Sequence, residues 1–333
     1  MAAPSAIDIH THIVPASFPP ALEGAADLPW PSVEHGDSCH ARVLIGGKPY
    51  RDIEDNCWNA ARRVEEMTAM GIARQVLSPM PELLSYWLPP ADARRLSRYI
   101  NEQIAGLVAE APERFAGFGM VPLHDVPAAI EELDHLTRAL GLTGVEIGTN
   151  IDGKPIGDPE FAPFFAEAEA RGVPIFVHPL HPAGMDRLVG PPVLEQAVAF
   201  PCETGLAIAS LLTSGLISRH PKLRIAFSHG GGTFGQMLPR LQHAWTLAPG
   251  LKKAMPESPR DLARTLYYDT LVYDGTALRF LIDQFGTDRL LVGTDYPFAI
   301  MEREPLARLA AIGLAPDELD LTTRANALRF LGA

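Results

Sequence analysis

The sequence predicts an α/β protein folded as one (β/α)8 TIM barrel. Three observations carry that prediction. Short β-branched runs alternate with longer amphipathic stretches eight times, and strict βα alternation demands parallel strands joined by right-handed crossovers. The chain has 333 residues, enough for two ordinary domains or one large barrel. Several apolar runs finish in His or Asp, at the strand end where barrels carry their active sites. A doubly wound open sheet is the alternative fold.

The elements follow in order. Ile7–His10 reads as the first strand. The segment 13–53 is too long for a βα connection, which is usually about 2–6 residues. It is rich in proline, and RVLIGGKPYR within it places Gly46-Gly47 as a hairpin turn between apolar and polar flanks. We expect an insertion over the barrel mouth, so that residues 1–333 form a single domain. A helix follows over Glu54–Met70, then strand Arg74–Met80 and helix Ala91–Ala111. Next come strand Phe115–Leu123 and helix Pro127–Leu140, with proline in its first turn. Strand Gly144–Thr149 precedes helix Phe161–Arg171, and strand Pro174–His178 precedes helix Glu203–Arg219. Strand Arg224–His229 leads into a helix over about Phe234–Trp245, and strand Leu266–Tyr273 into helix Thr276–Phe285. Leu290–Thr294 is the last strand before a helical C-terminal region.

Composition narrows the function. The hydrophobic set makes up 47% of the chain and charged residues 20%, which supports a large core and excludes a disordered chain. The formal net charge of −12 repels phosphate backbones, so general nucleic-acid binding is excluded, whereas a local arginine or a metal can still receive an acidic small molecule. Cys39, Cys57 and Cys202 are too few and too dispersed for a disulfide framework. With no basic, apolar leader and no long apolar run, the sequence reads as a soluble cytoplasmic protein without membrane partners.

The chemistry sits at the strand ends. Asp8-Ile9-His10-Thr11-His12 puts His10 and His12 two residues apart, so both side chains can face one point. Imidazole is the commonest zinc ligand, and two on one strand make half a site. The fifth strand ends in Phe176-Val177-His178-Pro179, the sixth in Ser228-His229 before Gly230-Gly231-Gly232, and the eighth in Gly293-Thr294-Asp295. Four strand ends supplying His or Asp point to a metal enzyme. The competing reading makes one of them, His229 first, a structural hydrogen-bonding histidine.

IDIHTHIVP, FVHP, SHGGG and GTDYPF, in this order and spacing, resemble the amidohydrolase superfamily, and within it the branch of the 2-amino-3-carboxymuconate-6-semialdehyde decarboxylases. KPYRDIEDNCWNAARRVEEM, GVEIGT, FPCETGLAI and LYYDTLVYD also resemble segments of that branch, so the likeness spans nearly the whole chain. The resemblance implies that His10, His12, His178 and Asp295 ligate one divalent metal, zinc or else manganese or cobalt, with Asp295 also facing its water. It implies that His229 is the catalytic acid or base. It implies that Arg51 and Arg240, in LPRLQHAW, hold substrate carboxylates and that Phe298 lines the pocket. Arg240 lies about two helical turns beyond the glycine-rich turn, and the matching arginine of the family enters the neighbouring subunit's site, so a homodimer with Arg240 supplied in trans is expected.

The chemistry of these residue types agrees with that picture. A divalent ion can lower the pKa of bound water to about 7, a neutral histidine can carry a proton to carbon, and an arginine fork binds carboxylate bidentately. The activity expected is non-oxidative decarboxylation of aminocarboxymuconate semialdehyde or a related carboxylated ring-cleavage product. Competing readings are a hydrolase or hydratase of a carboxylated lactone or muconate-type substrate, a hydroxybenzoate-type decarboxylase, and a metal-binding scaffold. The sequence departs from the branch at Leu180-His181-Pro182 and at Val193–Phe200, which carries no tryptophan. His181 reads equally well as a polar contact or a solvated loop residue.

Overall fold

The computed structural model describes residues 6–22, 28–37 and 39–333. Its centre is a sheet of eight strands: β1 Ala6–Ile13, β2 Ile72–Pro79, β3 Phe115–Gly119, β4 Gly144–Gly148, β5 Ile175–His178, β6 Ile225–Phe227, β7 Tyr267–Asp269 and β8 Leu290–Leu291. Neighbours in the sheet are neighbours in the chain, and every pair is parallel. The predicted last strand, Leu290–Thr294, is regular only at Leu290–Leu291. Its continuation bonds to β1 instead: Ile9 N–H donates to the Val292 carbonyl at 2.9 Å, and His12 N–H to that of Tyr296 at 2.7 Å. These bonds join the two ends of the sheet, giving a nearly closed barrel.

Helices separate the strands as the alternation requires: Ala60–Ala69, Pro90–Glu110, Val126–Arg138, Ala162–Arg171, Phe200–Thr213, Phe234–Leu247 and Gly275–Phe285. Two differ from the sequence expectation for local reasons. The first starts at Ala60, not Glu54, because the Asn59 side chain accepts the Arg62 N–H at 3.1 Å and caps it there. The stretch read as one helix over Glu203–Arg219 begins at Phe200 and breaks at Gly215, whose φ of 73° leaves the helical region. A Cβ at Gly215 would approach the Ala254 carbonyl oxygen to 2.3 Å, so glycine is required there.

The barrel interior explains why chemistry occurs at one end only. Below the C-terminal rim it is filled by Ile7, Ile9, Val76, Phe118, Phe176, Ala226 and Leu291, all buried. The C-terminal helix Asn326–Leu331 seals this end, with Phe330 packed against Phe118 and Tyr267 at ring separations of 6.0 and 5.3 Å. The opposite end stays open and polar.

Within the expected insertion 13–53, residues 23–27 and residue 38 lie outside the described residues, as do residues 1–5. The described part is a three-stranded antiparallel sheet, Pro31–His35, His40–Ile45 and Lys48–Glu54. Gly46 and Gly47 make the predicted turn, both at positive φ, as a tight hairpin demands. Val43 and Ile53 bury one face in the main core, and the last strand carries Arg51 to the barrel mouth. No helix among the described residues is long and apolar enough to cross a membrane, and the three cysteines are free.

Candidate metal centre and active site

The register of β1 against β2 shifts between Asp8 and Thr11, a local irregularity beside the site. His10 and His12 nevertheless share the barrel interior, with their Nε2 atoms 3.2 Å apart. His178 ends β5, and Asp295 follows β8 at a left-handed φ of 63°. One ligand atom from each of His10, His12, His178 and Asp295 lies within 4.8 Å of all the others, and all four residues are buried. Asp295 Oδ1 stands 3.1 Å from His12 Nε2 and 3.6 Å from His10 Nε2.

The protons of this cluster are placed by its surroundings. Nδ1 of His10 faces Asp269 Oδ2 at 2.6 Å, that of His12 the Pro79 carbonyl at 3.0 Å, and that of His178 the Pro179 carbonyl at 2.9 Å. An acceptor at Nδ1 draws the proton there and leaves the Nε2 lone pair free. Three lone pairs and a carboxylate oxygen therefore converge on one point. His178 Nε2 and Asp295 Oδ1 are buried with no hydrogen-bond partner. Electron-rich atoms packed this closely repel each other unless a cation lies between them. The set of three imidazole nitrogens and one carboxylate oxygen fits a divalent metal. Burial, reinforced by His12 and His10, holds the His178 imidazole well below its ordinary pKa, in the neutral form a ligand needs. Burial also pushes His10 down, but the hydrogen bond and charge of Asp269 outweigh it and make His10 the more basic donor.

His229 stands beside this pocket and is not one of the four. Its ring centroid is 5.1 Å from that of His178 and 5.4 Å from that of His10. The chain turns sharply here: His229 has φ 56°, and Gly230, Gly231 and Gly232 have φ 60°, 77° and 57°. A non-glycine residue held at such a φ costs of order 1–3 kcal/mol, and the surrounding bonds must enforce it. The Gly230 N–H donates to Asp269 Oδ1 at 2.8 Å, and a Cβ at Gly232 would come within 2.0 Å of the Pro201 carbonyl oxygen. Burial, and then the neighbouring His10, pull the His229 pKa down to about 4, so at neutral pH its ring is an uncharged proton acceptor.

Asp269 was not singled out by the sequence reading, although LYYDTLVYD contains it. It ends an apolar strand in a carboxylate, the same signal that marks Asp295. Its carboxyl is pushed up by burial and pulled below the usual range by the hydrogen bond and charge of His10.

A cavity of about 540 Å³ opens on the cluster, with His12, His178, His229 and Asp295 at its floor and Arg51, Phe298, Phe200 and Tyr273 in its walls. Arg51, Phe298 and His12 form a stack: the guanidinium lies 4.1 Å from the Phe298 centroid, and that ring lies on His12 at 5.2 Å and 18°. Stacking uses the flat face of the guanidinium and leaves its N–H edge toward the cavity. The tryptophan-free stretch Val193–Phe200 does wall the cavity, through Gln196, Ala197 and Phe200. His181 lies flat on Trp87 at 4.3 Å and 16°. Arg240 is exposed on the helix Phe234–Leu247 and is not part of its own chain's cavity wall.

A family model described as amidohydrolase matches residues 7–333. The chain belongs to the amidohydrolase family. A 2-amino-3-carboxymuconate-6-semialdehyde decarboxylase of Dictyostelium discoideum is 38% identical to this amidohydrolase, over 98% of this chain and 91% of that relative. A gamma-resorcylate decarboxylase of Rhizobium sp. (strain MTP-10005) is 31% identical, over 74% and 77% of the two chains. The solved apo structure of IDCase from Metarhizium anisopliae superposes with a TM-score of 0.83 at 22% identity, covering 99% of this chain and 97% of that one, a likeness of fold. Within the family this amidohydrolase is a carboxy-lyase, the class of the two sequence relatives.

Proposed function

We propose that this amidohydrolase is a metal-dependent, non-oxidative decarboxylase of 2-amino-3-carboxymuconate-6-semialdehyde or a closely related carboxylated ring-cleavage product. The observation that carries this reading is the neutral, half-buried His229 beside a four-ligand metal pocket, on the floor of a cavity whose wall presents an arginine. The name of the 38% identical relative supports the substrate class. His10, His12, His178 and Asp295 would hold the metal, zinc first, with manganese and cobalt also suited to the donor set. When bound, the ion supplies positive charge that stabilises negative charge developing on substrate and water oxygens.

The remaining chemistry belongs to side chains. Arg51 binds a substrate carboxylate through two parallel N–H bonds, and its stack on Phe298 fixes the direction of that fork. As the carbon–carbon bond breaks and CO₂ leaves, the bonding pair stays on the substrate carbon. His229, neutral at rest, takes a proton from a water molecule and delivers it to that carbon, so R–COO⁻ and H₂O become R–H, CO₂ and OH⁻. Phe298 and Phe200 keep water from the reacting face. Arg240, exposed and not among the residues that line its own cavity, would complete the site of a partner subunit in a homodimer. Free cysteines agree with a cytoplasmic enzyme.

The second reading is a hydroxybenzoate-type decarboxylase, favoured by the likeness to gamma-resorcylate decarboxylase. A panel of the muconate semialdehyde, dihydroxybenzoates and dicarboxylate lactones, followed by CO₂ release, tests both. CO₂ from the semialdehyde supports the first reading and CO₂ from a dihydroxybenzoate alone the second. Lactone opening without CO₂ would overturn both.

A further inference from the structure

The cavity wall carries a second charged group that the reaction above does not use. Glu82 follows β2 on the short turn Pro81–Leu84, and it lines the same cavity as Arg51. It is only 7% exposed. The Tyr50 hydroxyl donates to its Oε1, while Oε2 is buried with no hydrogen-bond partner. Arg51, stacked on Phe298, feels the Glu82 charge but makes no hydrogen bond to this oxygen. The turn beneath is firm: Leu83 and Leu84 are buried, and the Ser85 hydroxyl donates to the Glu82 carbonyl at 3.2 Å.

A buried carboxylate oxygen without a donor is costly, and a native site keeps one where a ligand supplies the missing partner. We propose that Glu82 is a specificity-determining residue whose free Oε2 accepts a hydrogen bond from an amino or hydroxyl group of the substrate, while Arg51 takes a carboxylate. The assignment rests on the decarboxylase reading and narrows it. The substrate class becomes unsaturated carboxylates that also bear an N–H or O–H donor, and carboxylates lacking one are disfavoured. The charge of the wall agrees, with one cation and one anion facing a single cavity. Glu195 at the rim feels the same anion: burial, and then the Glu82 charge, push its carboxyl up.

The test is calorimetric binding to metal-loaded protein of phthalate, 3-aminophthalate and 4-aminophthalate. These stable aromatic acids differ only in the donor. At least one amino isomer should bind wild type about 10- to 100-fold more tightly than phthalate, the range for a hydrogen bond to a charged group. In Glu82→Leu that preference should collapse while phthalate binds at least as well as before. Glu82→Gln keeps the side chain's shape and an acceptor for Tyr50 but turns an amide N–H toward the ligand, so it should lose the preference too. Equal binding of all three acids to wild type overturns the assignment. So does a preference that survives in both variants, or an equal loss of phthalate and aminophthalate in Glu82→Gln. CO₂ release is measured separately. Decarboxylation without any amino preference refutes Glu82 alone, and amino preference without decarboxylation of any panel member refutes the proposed reaction alone.

Discussion

His10 Nδ1 and Asp269 Oδ2 lie 2.6 Å apart inside the barrel, both side chains fully buried. The other oxygen of the same carboxylate accepts the N–H groups of Gly230 at 2.8 Å and Leu271 at 3.0 Å. One carboxylate thus sets the tautomer of a metal-facing histidine and pins the strained turn that presents His229. Position and protonation of the two histidines are coupled through Asp269.

Asp269→Asn breaks that coupling, because a single amide oxygen cannot serve both His10 and Gly230. Metal affinity should fall about 10- to 100-fold, the usual effect of losing a bond behind a ligand histidine, with activity falling alongside it. Equilibrium dialysis against graded chelator measures this. Wild-type affinity in the variant would mean that Asp269 does not orient His10.

His229→Ala should keep its metal and lose about 10²- to 10⁴-fold in rate, the contribution of a general acid or base. His10→Ala should lose the metal and the activity together while far-UV circular dichroism remains that of a folded barrel. Metal analysis beside rate measurement separates the two. Metal loss in His229→Ala would make His229 a ligand and remove its proposed role.

That the strand-end residues named from the sequence come together in the structure has a simple geometric basis. His10 and His12 are two residues apart on a strand, so the sequence alone aims both inward, and the ends of β5, β6 and β8 are marked by single polar residues after apolar runs. Asp269 and Glu82 were not legible in the same way. Asp269 acts by holding other residues, which no pattern of ligands announces. Glu82 sits on a turn after β2, and only the packing of Leu83 and Leu84 decides that it faces the cavity. The first strand of the insertion, Pro31–His35, begins with proline and ends in Val33-Glu34-His35, and it is ordered by pairing with the Gly46-Gly47 hairpin rather than by its own propensity.

Glu66 provides a pH test of how the segment after Asp295 is held. Its carboxylate accepts from the Tyr296 hydroxyl at 2.6 Å, from Asn56 Nδ2 at 3.1 Å and from Arg62 Nε at 2.7 Å. Burial pushes this carboxyl up, but those bonds outweigh it and hold the pKa below the ordinary 4.5. A depressed folded-state pKa adds stability above the unfolded value, and that stability disappears as pH falls through the folded value. Glu66→Gln should therefore melt about 1–3 °C lower than wild type at pH 7, a modest loss for a partly exposed group. The gap should narrow as pH falls below the ordinary carboxyl value of 4.5 and vanish below the lower folded value. A gap independent of pH would show that charge on Glu66 is not what stabilises the segment.

Sharing of sites between subunits is tested by mixing two inactive chains, Arg240→Ala and His229→Ala. In a heterodimer one site carries both defects and the other none, so activity should return toward part of the wild-type rate. Wild-type activity should also fall on dilution as subunits separate. No recovery, with heterodimers shown to form, would leave Arg240 as a surface residue of its own chain.

The most direct measurement strips the wild-type protein with chelator and follows CO₂ released from 2-amino-3-carboxymuconate-6-semialdehyde before and after zinc, manganese or cobalt is returned. The account predicts no CO₂ from the stripped protein, recovery at one metal ion per chain, and no recovery in His10→Ala. CO₂ release that persists undiminished in protein shown to hold no metal would contradict it.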